Sequence, residues 1–157
     1  MNKLARFSFL SRGRNETLKI GRKLAGYLQK GDIICLFGSL GSGKTVLAKG
    51  IASGLGIKQE EVISPTFVLL HQHIESKLPL YHFDLYRLDN LKAILDLGYE
   101  EYFYDDGVTV IEWADRLKTL MPLEYLKVEL SWTAKNQRTL KFTALGRRYE
   151  ELLGRVE

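Results

Sequence analysis

The spacing of apolar residues in the first third of the chain predicts a strand, a helix, a buried strand and a second helix. Residues 5–10 alternate between polar and apolar positions, which is typical of a short strand. Apolar side chains then recur near helical spacing in "ETLKIGRKLAGYL", and the preceding Asn15 is the predicted N-cap of that helix. The unbroken apolar run at residues 33–37 predicts a buried strand, and residues 44–54 read as a helix.

The remainder of the chain predicts more strands than helices. Residues 66–74 and 78–86 are expected to form a β-hairpin around the turn "ESK", and residues 89–103 a helix that Gly98 interrupts. The later predicted elements are a strand at 108–113, a short helix from about Asp115, strands at 126–132 and 138–143, and a helix at 147–153. This order predicts an α/β fold with a mixed parallel and antiparallel sheet flanked by helices.

Length and composition indicate one globular domain over residues 1–157. The 45% hydrophobic and 27% charged content is that of an ordinary water-soluble protein, and no apolar run approaches the length needed to span a membrane. The first sixteen residues make a poor signal peptide because arginines interrupt their apolar patch. The single cysteine, Cys35, lies in a predicted buried strand, which favours core packing in a reducing compartment. We therefore expect a cytoplasmic protein without a membrane partner.

The net charge of +4 conceals two segments of opposite sign. Residues 1–30 carry eight basic side chains against one acidic one, whereas residues 82–115 carry nine acidic side chains against two basic ones. Two solvated faces would explain this pattern. A basic face for a phosphate-rich partner, with an acidic segment that holds metal or docks a protein, would explain it equally.

The segment "GSLGSGKT" carries the clearest chemistry in the sequence. It matches the phosphate-loop pattern G-x-x-x-x-G-K-[ST], and it stands between a predicted strand and a predicted helix, as that motif requires. Its glycines allow backbone N–H groups to surround phosphates, its lysine reaches the β and γ oxygens, and its threonine offers a hydroxyl to Mg²⁺. The predicted nucleotide contacts here are Gly38, Leu40, Gly41, Ser42, Gly43, Lys44, Thr45 and Val46. The fold is accordingly predicted to be of the P-loop NTPase type.

A second metal ligand is expected from an acidic residue at the end of a neighbouring strand. Asp84 and Glu112 each end such a strand. We assign Glu112 to the metal and Asp84 to a water ligand or to orientation of the attacking water, and the reverse assignment stays open. Thr66, held by the preceding proline, is a candidate sensor of γ-phosphate and metal. Trp113 either covers the site or is an ordinary half-buried aromatic residue.

The identity of the nucleotide follows partly by elimination. The chain lacks the DxxG and NKxD motifs of guanine-specific switches, so ATP is favoured. His71, His73 and His82 could approach one another in the hairpin, but without a cysteine or a clear fourth ligand we do not favour a zinc site. Three uses of the nucleotide remain open: hydrolysis, phosphoryl transfer to a nucleoside or another small molecule, and nucleotide-gated binding without turnover.

Four segments in this order, "GSLGSGKT", "SPTF", "HFDLYRL" and "IEWADRL", resemble the bacterial TsaE (YjeE) family of small P-loop ATPases. The resemblance runs from "ETLKIGRKLA" to about residue 143. It implies a role in making N6-threonylcarbamoyladenosine in tRNA, together with the proteins TsaD and TsaB. In that family TsaD transfers the threonylcarbamoyl group to tRNA, and ATP hydrolysis by TsaE serves turnover.

The resemblance also implies roles for individual residues. Residues 38–45 would hold the phosphates, with Mg²⁺ on Thr45 and Glu112. Arg138 falls where the family has an arginine close to the nucleotide, and Arg14 lies near another nucleotide contact. The family positions important for hydrolysis or coupling match Thr66, Asp84 and Trp113.

Overall fold

The computed structural model describes residues 5–62 and 69–156. Its strands are β1 (Arg6–Ser11), β2 (Ile33–Phe37), β3 (Leu70–His73), β4 (Leu80–Asp84), β5 (Val108–Glu112), β6 (Tyr125–Ala134) and β7 (Gln137–Leu145). Its α-helices are α1 (Arg14–Ala25), α2 (Lys44–Gly54), α3 (Lys92–Asp96), α4 (Glu100–Phe103) and α5 (Arg147–Val156). Two 3₁₀ segments, Gln59–Glu61 and Ala114–Leu120, complete the described elements.

The strands form one mixed sheet in the order β1-β7-β6-β2-β5-β4-β3. The four central strands β6, β2, β5 and β4 are mutually parallel, whereas β1, β7 and β3 pair with their neighbours in antiparallel fashion. This is the α/β mixed sheet that the sequence predicted, and that prediction is confirmed.

Apolar layers cover both faces of the sheet, and the central strand β2 is apolar at every position. On β2, Ile34 and Leu36 belong to a core shared with α1, α2 and α5. Ile33 and Cys35 point the opposite way, into a core shared with α3, α4 and the second 3₁₀ segment. Side chains alternate across a strand, so a strand covered on both faces, such as β2, reads as a continuous apolar run.

The parallel pairing gathers the carboxyl ends of three strands at one edge of the sheet. Leu36 of β2 lies opposite Glu112 of β5, and Glu112 lies opposite Asp84 of β4. Residues 38–43, which follow β2 directly, leave the sheet at this same edge. Ligands of open α/β sheets bind beyond such carboxyl ends.

One local prediction is wrong. Asn15 is not the N-cap of α1, because the helix starts at Arg14 after Gly13. The side chain of Glu16 accepts a hydrogen bond from the backbone N–H of Arg12 at 2.7 Å, and the N-cap is Gly13, so the helix begins two residues earlier than it would with Asn15 as its N-cap. The predicted interruption of residues 89–103 at Gly98 is confirmed, because α3 and α4 are separate and Gly98 between them has a positive φ of 68°.

The remaining element predictions agree with the structure to within a few residues at their ends. The predicted strand at 66–74 is seen as β3 from Leu70, since residues 63–68 lie outside the described ranges. Over residues 5–62 and 69–156, no helix combines the length and apolar character that crossing a membrane requires.

Candidate functional site

The glycine loop, residues 38–43, joins β2 to α2 and contains three glycines with positive φ, one of which, Gly41 with φ 77°, has open space around it. Gly38 has φ 150° and Gly43, the N-cap of α2, has φ 107°. A Cβ at Gly38 would lie 2.6 Å from the carbonyl oxygen of Leu130, and one at Gly43 would lie 2.8 Å from Nη1 of Arg138. Both positions therefore require glycine for reasons of backbone conformation and of space.

Lys44, the first residue of α2, directs its ammonium group back into this loop. Its Nζ donates hydrogen bonds to the carbonyl oxygens of Gly38 at 2.7 Å and Ser39 at 2.8 Å, and reaches Ser42 Oγ at 3.3 Å. The side chain is only 4% exposed. Burial lowers the pKa of Lys44, and the nearby carboxylates of Glu112, Asp84 and Asp115 oppose that effect.

Glu112, at the end of β5, connects α2 with β4. Thr45 Oγ1 donates a hydrogen bond to Glu112 Oε1 at 2.7 Å, and His82 Nε2 lies 2.6 Å from Glu112 Oε2. Glu112 and His82 are 2% and 1% exposed, so this carboxylate is buried with a defined partner on each oxygen. Buried carboxylates are stable only with such partners.

Asp84 ends the neighbouring strand beside Glu112 and is also buried. Its Oδ1 accepts a hydrogen bond from the backbone N–H of Tyr86 at 3.0 Å, which fixes the start of the loop after β4. Because the two residues are register partners on one face of the sheet, their carboxylates share this edge.

Trp113 packs over the lysine of the glycine loop. Lys44 Nζ lies 4.0 Å from the centroid of the indole ring, within the range of a cation–π contact. Tyr86 contacts the same indole, with ring centroids 5.0 Å apart. Trp113 has φ 58° and ψ 43°, a left-handed conformation that a bulky residue rarely adopts. Strained backbone of this kind is common where a side chain serves a site.

Arg138 reaches the glycine loop from β7. Its Nη1 and Nε atoms are buried without a hydrogen-bond partner among the described residues, and its guanidinium lies 4.7 Å from the Trp132 ring centroid. The space beside Gly43 that any Cβ would occupy is filled by this guanidinium. A buried, incompletely paired guanidinium against a turn rich in backbone N–H groups favours an anionic ligand.

These side chains surround an open cavity of about 340 Å³. The predicted residues that line it are Leu40, Gly41, Gly43, Lys44, Thr45, Val46, Asp84, Glu112, Trp113 and Arg138. Gly38 and Ser42 shape the loop from behind, where Ser42 is fully buried. Arg14 is exposed at the start of α1 and does not line the cavity. Thr66 lies outside the described residues.

The sequence prediction did not include three residues at the site. Tyr86 and Arg87 line the cavity, and His82 bonds to Glu112. His82 stands two residues before Asp84, so strand alternation places both on one face, and that signal was available. Among the described residues, no three or more histidine, cysteine or acidic side chains gather as a metal cluster.

The side chains suited to a divalent cation are Thr45 and Glu112. Both offer oxygen atoms, which Mg²⁺ prefers, and they already lie within hydrogen-bond distance of one another. While the Thr45 hydroxyl donates its hydrogen to Glu112, its oxygen lone pairs stay available for a cation. The donor set therefore fits Mg²⁺ shared with phosphate oxygens.

The fold and the site together define an α/β protein whose glycine loop joins a buried central strand to a helix, beside a threonine–glutamate pair. Comparison with known proteins gives the family. The profile described as "Threonylcarbamoyl adenosine biosynthesis protein TsaE" matches residues 11–140, and the chain belongs to this TsaE family.

Individual relatives are similar to this chain over most of their length. The Bacillus subtilis (strain 168) protein named tRNA threonylcarbamoyladenosine biosynthesis protein TsaE is 41% identical, covering 87% of this chain and 85% of its own. A Treponema pallidum protein of the same name is 40% identical over 83% of this chain and 96% of its own. The crystal structure of Bacillus subtilis YdiB superimposes with a TM-score of 0.84 at 32% identity, covering 99% of this chain and 97% of that one.

Proposed function

We propose that this chain binds Mg-ATP at the glycine loop and hydrolyses it to ADP and phosphate in support of N6-threonylcarbamoyladenosine formation in tRNA. The observation that carries the hydrolytic part is the hydrogen bond between Thr45 and Glu112 at the mouth of the loop. It places a hydroxyl and a carboxylate together where a metal–phosphate complex would sit. The role in tRNA modification rests on membership of the TsaE family.

Binding of the phosphates is assigned to the loop, to the start of α2 and to two cations. Backbone N–H groups of residues 41–45 and the positive end of the α2 dipole would face the phosphates. Lys44 would exchange its bonds to the loop carbonyls for bonds to phosphate oxygens. Arg138, two of whose buried nitrogen atoms have no hydrogen-bond partner within residues 5–62 and 69–156, would gain acceptors from the same ligand.

The metal site is assigned to Thr45 and Glu112. When bound, Mg²⁺ neutralises developing charge on the phosphate oxygens. Glu112 would hold the Thr45 hydroxyl in place through the observed hydrogen bond and keep its own orientation through its second oxygen. The reverse assignment, in which Asp84 holds the metal, is the competing possibility at this site.

Hydrolysis requires a water molecule in line with the bond between the γ-phosphorus and the bridging oxygen. We assign orientation of that water to Asp84, whose carboxylate shares the sheet edge with Glu112. Thr66 is proposed as the γ-phosphate sensor from its position directly after Pro65 in the sequence, and the resemblance adds a role in hydrolysis or coupling. Trp113 would exclude solvent from the lysine and its ligand because the indole already packs over Lys44 Nζ.

The output of the cycle is proposed to be work on a cytoplasmic complex with TsaB and TsaD, through which the chain would meet tRNA. The exposed basic side chains of α1 are candidates for the partner surface. Arg22 and Lys23 are exposed, and within residues 5–62 and 69–156 neither has an acidic side chain at ion-pair distance. The acidic residues 82–115 are the alternative surface.

The fate of the γ-phosphate tests the enzymatic proposal. The purified chain is incubated with Mg²⁺ and ATP labelled in the γ-phosphate, with and without a small-molecule extract, and the products are separated. Label in inorganic phosphate supports hydrolysis. Label on a small acceptor would replace the proposal with a kinase activity. Tight ADP binding without turnover, even with the partner proteins present, would replace it with nucleotide-gated binding.

A further inference from the structure

We infer that His82 is the positioning residue for Glu112, and that the hydrogen bond from its Nε2–H to Glu112 sets the affinity of the site for Mg²⁺. The inference deepens the proposed function and rests on it. The carrying observation is a 2.6 Å contact between His82 Nε2 and Glu112 Oε2, with both side chains almost completely buried.

The strand register explains why this histidine reaches that glutamate. His82 lies opposite Val110, and Glu112 lies opposite Asp84, so His82 and Glu112 are diagonal neighbours across the parallel pair β4–β5. Side chains two residues apart on a strand share a face, and a diagonal pair lies within reach of long side chains. The contact is therefore built into the sheet and does not depend on a loop.

The two oxygens of Glu112 have separate tasks in this arrangement. Oε1 accepts from Thr45 and faces the cavity, while Oε2 accepts from His82 on the inner side. A carboxylate held at both oxygens cannot rotate about its last bond. Its outer oxygen is thus already aimed at the Thr45 hydroxyl before any ligand arrives, and preorganised ligands bind metal more tightly.

His82 has no other polar role among the described residues. Its Nδ1 atom is buried and has no hydrogen-bond partner. A carboxylate is an acceptor only, so the hydrogen in the contact belongs to Nε2. Among the described residues, the imidazole therefore makes one side-chain hydrogen bond, and that bond is to Glu112. A histidine kept for the fold alone would be expected to satisfy both of its nitrogens.

The test uses two amide variants that differ in reach. His82→Gln places an amide N–H near the position of Nε2, whereas the shorter side chain of His82→Asn places it near Nδ1, away from Glu112. The matched control is His71→Gln on β3, because His71 is the register partner of His82. Affinity for a fluorescent ADP analogue is measured with Mg²⁺ removed, and then as Mg²⁺ is added back.

We expect His82→Asn to raise the Mg²⁺ concentration needed for half-maximal effect by about tenfold or more, which is the usual effect of losing a hydrogen bond to a metal ligand. His82→Gln should restore most of the wild-type value, and His71→Gln should match it. Affinity for the analogue without Mg²⁺ should change by less than about twofold in all three variants, as for substitutions away from a binding contact.

The results that would contradict this inference differ from the result that would contradict the proposed metal site. Equal Mg²⁺ dependence in His82→Asn and the wild type would overturn the inference alone, as would equal losses in the Asn and Gln variants, which would indicate packing. If His82→Asn fails to fold by circular dichroism, His82→Leu replaces it and the same comparison decides. A wild-type chain that binds the analogue with no response to Mg²⁺ would overturn the proposed metal site itself.

Discussion

Thr45 and Glu112 are 67 residues apart in the sequence and are joined by a 2.7 Å hydrogen bond. The bond links the first turn of α2, directly after the glycine loop, to the carboxyl end of β5. A ligand that displaces Thr45 would therefore also break a hydrogen bond to a carboxylate that is buried in the sheet. This contact is the structural basis for proposing that phosphate and metal are bound together.

Replacing the loop lysine should weaken nucleotide binding and abolish turnover. Lys44→Ala removes the cation that faces the loop, and a lost charged hydrogen bond to phosphate costs about 1.5–3 kcal/mol per contact. We expect ADP affinity measured by calorimetry to fall at least about tenfold, with phosphate release at background. Lys49→Ala, on the same helix but outside the cavity, is the control. Full turnover in Lys44→Ala would remove the loop from the mechanism.

Neutralising Glu112 should affect metal-dependent turnover more than nucleotide binding. Glu112→Gln keeps the shape of the side chain, but it removes the negative charge offered to Mg²⁺ and replaces one accepting oxygen with an amide donor. Phosphate release should fall by at least about tenfold, while ADP affinity without Mg²⁺ changes little. Asp84→Asn is measured in parallel. If Glu112→Gln turns over normally and Asp84→Asn does not, the metal belongs to Asp84.

Removing the guanidinium beside the loop should weaken nucleotide binding without unfolding the protein. Arg138→Leu deletes two buried nitrogens that have no partner among the described residues, so the ligand-free fold should lose little stability. ADP affinity should fall about tenfold or more because charged contacts to phosphate are lost. Lys141→Leu on the same strand, exposed and outside the cavity, is the control. Unchanged affinity in Arg138→Leu would exclude a phosphate contact.

The thiol of Cys35 should report on unfolding. Burial in β2 raises the pKa of Cys35, and the side chain is fully buried, so almost no reactive thiolate exists in the folded protein. Reaction of the native protein with DTNB should be negligible at neutral pH, and reaction in denaturant should be rapid. Saturating Mg-ADP should slow the reaction because ligand stabilises the folded state. Rapid reaction of the native protein would contradict the packing of β2.

Charge reversal on α1 should separate partner binding from nucleotide binding. The double variant Arg22→Glu and Lys23→Glu places two negative charges on an exposed surface. Association with TsaB and TsaD, with tRNA present, should weaken at low salt while ADP affinity stays at the wild-type value. Arg155→Glu, exposed on α5, is the control. Normal assembly of the double variant would point instead to the acidic residues 82–115.

Sequence patterns predicted the parts of this site whose residues lie close together along the chain. Residues 38–45 carry the phosphate-loop pattern in eight consecutive positions, and the apolar run before them predicts the buried strand that supports the loop. Asp84 and Glu112 were recognised because each ends an apolar strand. Their adjacency follows from the strand order β2-β5-β4, which spacing alone does not give.

Sequence patterns did not predict the contacts between residues that are far apart along the chain. Arg138 reaches Gly43 from β7, and that approach was expected only from the resemblance to a family. His82 was considered as a zinc ligand, whereas its observed partner is a carboxylate 30 residues away. A pattern read along one strand cannot show which residue of the next strand faces it, because register is set by the whole sheet.

The most direct test of the proposed ATP hydrolysis is phosphate release from Mg-ATP, measured for the chain alone and then with TsaB, TsaD and a substrate tRNA. We predict a slow basal rate that rises sharply when the partners are added and is absent from Lys44→Ala under both conditions. A rate unaffected by the partners, or phosphate passing to a small acceptor instead of water, would contradict it.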